Sequence, residues 1–422
     1  MTSRERVEAA LNHIQPDQVP MDFDGTAVTG MHVSVVADLR RHYGLGDDPV
    51  KIHEPFQCLG YIEEDLQEIL GVDVSPANGP NTFFGFEGKD WKEWRTPWGQ
   101  DVLVPGQFNV TTSPEGDTYI YPEGDLSAPA SGHMPASGYF FDAVVRQPPL
   151  PADDADLNIE DNLEEFQPLP DDVIADVKAK AETEYARDRF VITNVGGTGL
   201  GDIALVPALF MKHPKGIRDV TEWYVSTALR PDFVGEIFEK QIEIAIPNLK
   251  RLHDACGDKI GAIFICGTDF GTQDSTFCSP ETYRNLYHPH YRKLNDWIHA
   301  NTGWKTFKHS CGSIPGFMPL LIESGFDIIN PVQTSAKGMD PQWLKTEFGS
   351  DVTFWGGGME TQKILPFGTP EEVREEVMRK CEIFGKDGGF VFNAIHNVQA
   401  KTPAENVVAM IEAVHEFNGT KN

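Results

Sequence analysis

The feature that most constrains this chain is an alternation that runs from residue 190 onward: short runs rich in Val, Ile and Phe are separated by longer amphipathic segments. Such a strand and the helix after it each need a partner to bury an apolar face, and the repeated pair assembles as a parallel sheet covered by helices. Runs at 190–194, 260–266, 305–309, 326–330, 352–356 and 389–393 read as strands, each ending in polar or glycine residues. Segments at 232–256, 279–302, 316–324 and 369–384 read as helices, with Thr369 and Pro370 supplying a cap and a first-turn residue. The pattern predicts an α/β chain folded as a (β/α)8 TIM-type barrel, which needs two more strands; 19–23 and 203–210 are the candidates.

A length of 422 residues suits one barrel with insertions, so 1–422 is expected to form a single domain. Residues 77–168 break the pattern. They are rich in Gly, Pro and Asp and contain hairpin-like pieces, FFGFEGKDWKEWRTPWGQDVLV and DTYIYPEGD, which predict a β-rich insertion. Its tail, PADDADLNIEDNLEEFQPLPDD, reads as a solvated acidic linker. The N-terminus reads as an amphipathic helix with Ser3 as its N-cap.

The net charge of -29, from 35 basic and 64 acidic side chains, argues against nucleic acid and anionic membrane as partners. No run approaches the roughly 18 apolar residues of a membrane span, and no export signal is visible, so a cytoplasmic location is expected. The 6 cysteines are scattered rather than set in a dense framework, which predicts reduced thiols.

Chemistry is concentrated at the predicted strand ends. FKHSCGSIPG puts His309 and Cys311 two apart, on one face if the strand continues, and imidazole with thiolate is a zinc-binding pair. GGFVFNAIHNVQAKTP offers His396 as a third ligand, although a loop histidine bonded to backbone fits equally. Three protein ligands and an open position describe a catalytic zinc. Other strand-end residues, Asp269, Thr272 and Gln273 in ICGTDFGTQ, Asn330 and Gln333 in INPVQ, and Glu360 and Gln362 in WGGGMETQ, suit either a polar pocket or loop capping. Trp304, Trp355 and the Phe-rich insertion could pack a ring substrate or simply fill the core. Neither NVGGTGLGD nor WGGGME matches a phosphate-binding loop.

Ordered blocks along the chain resemble the uroporphyrinogen decarboxylase-like superfamily, and within it the cobalamin-dependent zinc methyltransferases. These blocks are SRERVEAALNHIQPDQVPMDF, ICGTDFGTQDSTFCSPETYRNLYHPHYRKL, FKHSCGSIPGFMPLLIESGFDIINPVQ, FWGGGMETQKILPFGTPEEV and TPAENVVAMIEAV. Decarboxylases of the family carry an Arg-rich N-terminal segment that grips tetrapyrrole carboxylates, where this chain has HIQPDQVPMDFDG. The methyltransferases use a His-x-Cys pair and a later Cys lying six residues before a Thr-Pro; here His396 takes that place, before Thr402.

The resemblance therefore implies zinc bound by His309, Cys311 and His396. An imidazole in place of a thiolate leaves the ion more positive, which favours stabilising a departing oxygen over activating a thiol. The expected reaction is O-demethylation of a methoxylated aromatic, a small-molecule methyl donor, with the methyl passing to a corrinoid (cobalamin) on a partner protein. Asp269 and Glu360 are the expected catalytic acids, with Glu360 also a candidate fourth zinc ligand, and Gln273, Asn330, Gln333 and Trp355 the expected substrate-binding residues. A homodimer is left open. The alternatives are methylcobalamin-dependent transfer to a thiol or tetrahydrofolate, a decarboxylase on another substrate, and a catalytically dead barrel that acts as a binding partner.

Overall fold

The computed structural model describes residues 1–151 and 153–420. Its centre is a curled parallel sheet of 7 strands: β1 (Val74–Pro76), β2 (Phe190–Thr193), β3 (Ala262–Cys266), β4 (Lys305–His309), β5 (Ile328–Asn330), β6 (Thr353–Trp355) and β7 (Phe390–Val391). The strands lie in sequence order and every neighbouring pair is parallel. The hydrogen-bonded ladder is open, and residues 20–22 lie across its two edges. Met21 makes a parallel bridge to Phe392, Asp22 N donates to Phe392 O at 2.9 Å, and Asp73 N donates to Met21 O at 2.8 Å.

The expected strand around 19–23 is thus present as this short bridging segment. The one at 203–210 is not. Asp202 Oδ1 captures the amide of Ala204 at 2.9 Å and the chain then folds into successive turns, Leu205 N to Asp202 O and Ala208 N to Leu205 O. The remaining strand is Val74–Pro76, whose sequence VSP carries too short an apolar run to read as one.

Alternation along the strands decides what faces the interior. Val74, Phe190, Ile192, Ala262, Phe307, Ile328, Trp355 and Val391 form one buried cluster, and Val7 and Leu11 of the N-terminal helix Ser3–Leu11 join it from one end. That helix begins one residue earlier than expected in its cap: Thr2, not Ser3, accepts from Glu5 N, and the Glu5 side chain returns the bond. Outward residues such as Val191, Ile263 and Ile329 join a larger cluster with the surrounding helices, including Pro231–Cys256, His288–Asn301 and Pro370–Phe384. Thr369 caps the last of these through a full capping box.

Between β1 and β2 lies the β-rich insertion, with an antiparallel pair (Lys92–Arg95, Asp101–Val104) and a four-stranded antiparallel sheet from Val110–Thr112 to Asp142–Ala143. The acidic tail is not simply solvated. Leu163 and Phe166 are buried, and Glu165 holds the buried Arg218 guanidinium through two bonds of 2.7 and 3.0 Å. A carboxylate that neutralises a buried arginine is costly to remove, so this stretch is a packed strap. No helix among the described residues is long and apolar enough to cross a membrane. The cysteines are free thiols.

Candidate metal centre

Strand alternation also builds the site. On β4 and β5, the residue two beyond an interior apolar side chain is polar: Phe307 is followed by His309 and Ile328 by Asn330. These polar side chains form a layer on top of the apolar plug, at the C-terminal ends of the strands where barrel enzymes place their chemistry. His309 and Asn330 are paired in the ladder, and the His309 Nδ1–H donates to Asn330 Oδ1 at 2.6 Å. Asn330 Nδ2 in turn donates to Trp355 O at 2.8 Å. This relay fixes the His309 tautomer and leaves its Nε2 lone pair free.

That Nε2 lies 3.5 Å from Cys311 Sγ. His396, on the loop after β7, completes a group of three whose ligand atoms all lie within 4.8 Å of one another, and its ring centroid is 5.2 Å from that of His309. Two ligands on one tetrahedral zinc, at about 2.0 Å for nitrogen and about 2.3 Å for sulfur, are about 3.5 Å apart. The donor set fits a metal of this type. His396 has φ of 68°, the left-handed region that side chains other than glycine rarely occupy, and its Nδ1 accepts from Asn397 N at 2.8 Å. The neighbouring Asn397 ties this loop down: its Oδ1 accepts from Gly30 N at 2.6 Å and its Nδ2 donates to Ala27 O and Gln57 Oε1.

Burial sets the protonation states. It pushes His309 down to about 4 and His396 down to about 3, so both rings are neutral near pH 7. Burial pushes the Cys311 thiol well up, and a divalent cation is what would draw off its proton. Asp269 accepts from Cys311 N at 2.6 Å and stands 3.9 Å from His309 Nε2. Its carboxyl is raised, chiefly by burial.

The other expected site residues divide by what they touch. Asn330 supports His309 rather than opening on a substrate. Gln333 accepts from Gly312 N at 2.8 Å and donates to Gln273 Oε1 at 3.0 Å, and Gln273 donates to Ser335 O at 2.7 Å; together they brace the turn that carries Cys311. That turn is tight: Gly312 has φ of 89°, and a Cβ on it would fall 2.3 Å from the Gly271 carbonyl. Two expected site residues make their contacts elsewhere. Glu360 accepts the backbone amides of Gln362, Lys363 and Ile364 at 2.7, 2.7 and 2.9 Å, so its oxygens are engaged at the start of the short helix Ile364–Phe367. Trp355 is in the interior plug, packed on Phe190 and Phe307 with its Nε1–H on Asp22 Oδ2 at 2.8 Å. Trp304 is likewise core.

Beside the donors opens a cavity of about 470 Å³ lined by His309, His396, Asp269 and Phe264 and by residues the sequence did not single out. Asp202 and Thr198 come from the glycine-rich stretch after β2, Thr26 to Val28 from the segment after the bridging strand, and Phe83 and Ala143 from the insertion. The clustered glycines closing on Asp202 were the one visible signal; the insertion residues carried none, because they reach the site only through tertiary docking.

Comparisons with known proteins agree with this architecture. The uroporphyrinogen decarboxylase (URO-D) family profile matches residues 208–417. The chain is 46% identical over 102 residues to a uroporphyrinogen decarboxylase of Methylococcus capsulatus, covering 24% of this chain and 27% of that protein. It is 26% identical over 140 residues to one from Carboxydothermus hydrogenoformans, covering 33% and 37%. The matched segments thus span about a quarter and about a third of these relatives' lengths. Among solved structures, a methyltransferase from Methanosarcina mazei superposes over 99% of both chains with a TM-score of 0.54 at 15% identity, a likeness of fold. In its curled parallel sheet, in the family profile over residues 208–417 and in the segments shared with these relatives, the chain is similar to the uroporphyrinogen decarboxylase-like superfamily.

Proposed function

We propose that this protein is a zinc-dependent methyltransferase that takes a methyl group from an O-methyl substrate, a methoxylated aromatic, and passes it to a corrinoid carried by a separate protein. The observation that carries the reading is the convergence of the His309, Cys311 and His396 ligand atoms within 4.8 Å of one another, with His309 and His396 on the wall of an apolar cavity. Zinc, when bound by these three residues, supplies a Lewis acid for the ether oxygen, and the reduced corrinoid supplies the nucleophile for the methyl carbon. Asn330 keeps His309 aimed. The protein's own acid is Asp269: burial keeps a proton on its carboxyl longer than usual, and it delivers that proton to the oxygen as the C–O bond breaks and the electron pair stays on oxygen. Phe166, Phe264 and Leu209 keep water from the reacting atoms. Residues 1–422 act as one barrel unit, with 77–168 an insertion that helps wall the cavity.

The curated relatives favour a second reading, decarboxylation, better than they favour the first, since both are named uroporphyrinogen decarboxylase. Against it stands the chemistry of the cavity: no lysine or arginine lines it, and a polycarboxylate substrate needs cations. Transfer to a thiol or tetrahydrofolate would use the same ligands in the other direction.

The test begins with protein purified without chelator. Elemental analysis is expected to find about one zinc per chain, lost in His309→Ala, and the protein is expected to methylate free reduced cobalamin from a methoxyarene, followed by absorbance. Metal-free protein that releases CO2 from a tetrapyrrole carboxylate, with no methyl transfer, would establish the decarboxylase instead.

A further inference from the structure

We infer that the cavity beside the donor triad takes an uncharged aromatic ring and rejects ring compounds that carry a carboxylate. The inference rests on the proposed demethylase reading, because it takes this cavity as the substrate chamber, and it narrows the substrate class. At about 470 Å³ the cavity lies within the roughly 300–1,000 Å³ of small-molecule sites. Its walls are Phe56, Phe83, Phe166, Phe264, Leu205 and Leu209. Phe264 is held by stacking on Phe307, with centroids 5.3 Å apart and planes at 27°. Walls of this kind offer faces and edges to a flat ring.

Charge then selects among rings. Two acidic side chains, Asp202 and Asp269, face the cavity, and no lysine or arginine is among the lining residues. Asp202 cannot swing aside, because it accepts from Gly267 N at 2.6 Å and Ala204 N at 2.9 Å. Cations in the surrounding elements are already committed. The buried Lys308 ammonium donates to the carbonyls of Thr268 and His309, and Arg146 donates to those of Ala208 and Met211. A ring carboxylate held away from the donor triad would give up its hydration, find no side-chain counter-ion and meet the fixed Asp202 carboxylate. Asn194 is a neutral lining group for a phenol or ether oxygen, and the Thr198 hydroxyl, which donates to Ile265 O at 2.7 Å, keeps acceptor lone pairs for a phenol.

Isothermal titration of the full chain as purified with meta-methoxybenzamide and with meta-methoxybenzoate separates charge from shape, because the two are isosteric. The amide is expected to bind at least about tenfold more tightly, the size of one unscreened like-charge contact across a small site. Asp202→Asn is expected to narrow that gap severalfold, and Val28→Lys, a cation added at a half-buried lining position, to narrow it independently. Equal or tighter binding of the benzoate overturns the inference, and so does the failure of both compounds to bind. The methyl-transfer reading fails by a different signal: the amide binds selectively, yet no methyl group reaches reduced cobalamin.

Discussion

His309 and His396 face the same point from opposite kinds of structure. His309 ends a regular strand, inherits its direction from the alternation that buries Phe307, and has its Nδ1–H spoken for by Asn330 at 2.6 Å. Its Nε2 is therefore a ready lone pair. His396 sits on a loop at φ of 68°, and its Nδ1 is the acceptor of Asn397 N–H, so in the metal-free ring the proton belongs on Nε2. Ligation through Nε2 must displace that proton, and ligation through Nδ1 must displace the amide. One half of the site is preorganised and the other adjusts, and the strand-borne half should hold most of the affinity.

Metal affinity measured by competition with a chelating dye ranks the contributions. Cys311→Ser and His309→Ala are expected to lose more than about 100-fold, beyond what removal of a supporting residue costs. Asn330→Ala, which frees the His309 ring to turn, is expected to lose between about 10- and 100-fold. His396→Ala is expected to lose less than Asn330→Ala. An equal loss for His396→Ala and His309→Ala would break the comparison, since it would mean that the loop ligand is as well prepared as the strand ligand.

A parallel contrast separates the two strand-end acids. Asp269 opens on the cavity, whereas every bond made by Glu360 goes to the backbone amides that start the next helix. Glu360→Gln keeps one acceptor oxygen and loses the charge, so it is expected to cost about 1–3 kcal/mol of stability in urea unfolding. The same change should leave zinc affinity in place. A loss of zinc with unchanged stability would return Glu360 to the metal.

What could be read from the residues follows the range of the forces involved. Strands 190–194 through 389–393 were legible because each apolar run must be buried where it stands, and His309, Cys311 and His396 were legible because they sit at the ends of those runs. Glu360 and Trp355 occupy equivalent positions and their contacts could not be read from them: a strand-end polar or aromatic residue can serve a helix cap or the interior plug, and only three-dimensional neighbours decide which. The strand Val74–Pro76 was hidden by its brevity and its proline. Phe83 and Thr26 were hidden more deeply, because the cavity wall is assembled from segments far apart in sequence, and no local pattern marks a residue for a contact made by docking.

The smallest expected effect isolates the backbone at residue 396. A left-handed conformation costs an L-residue roughly 1–2 kcal/mol and glycine almost nothing. In metal-free protein, removing the imidazole as His396→Ala leaves that cost in place, while His396→Gly removes it. Both variants lose the same ring contacts, so their difference reports the backbone alone, less the extra freedom glycine has when unfolded. The glycine variant is expected to be more stable than the alanine variant by about 1 kcal/mol in urea unfolding. An alanine variant as stable as the glycine one would mean that the loop relaxes to an ordinary conformation once the ring is gone. The strain would then belong to the imidazole's position and not to the loop that presents it, and the division between a fixed strand ligand and an adjusting loop ligand would have to be redrawn.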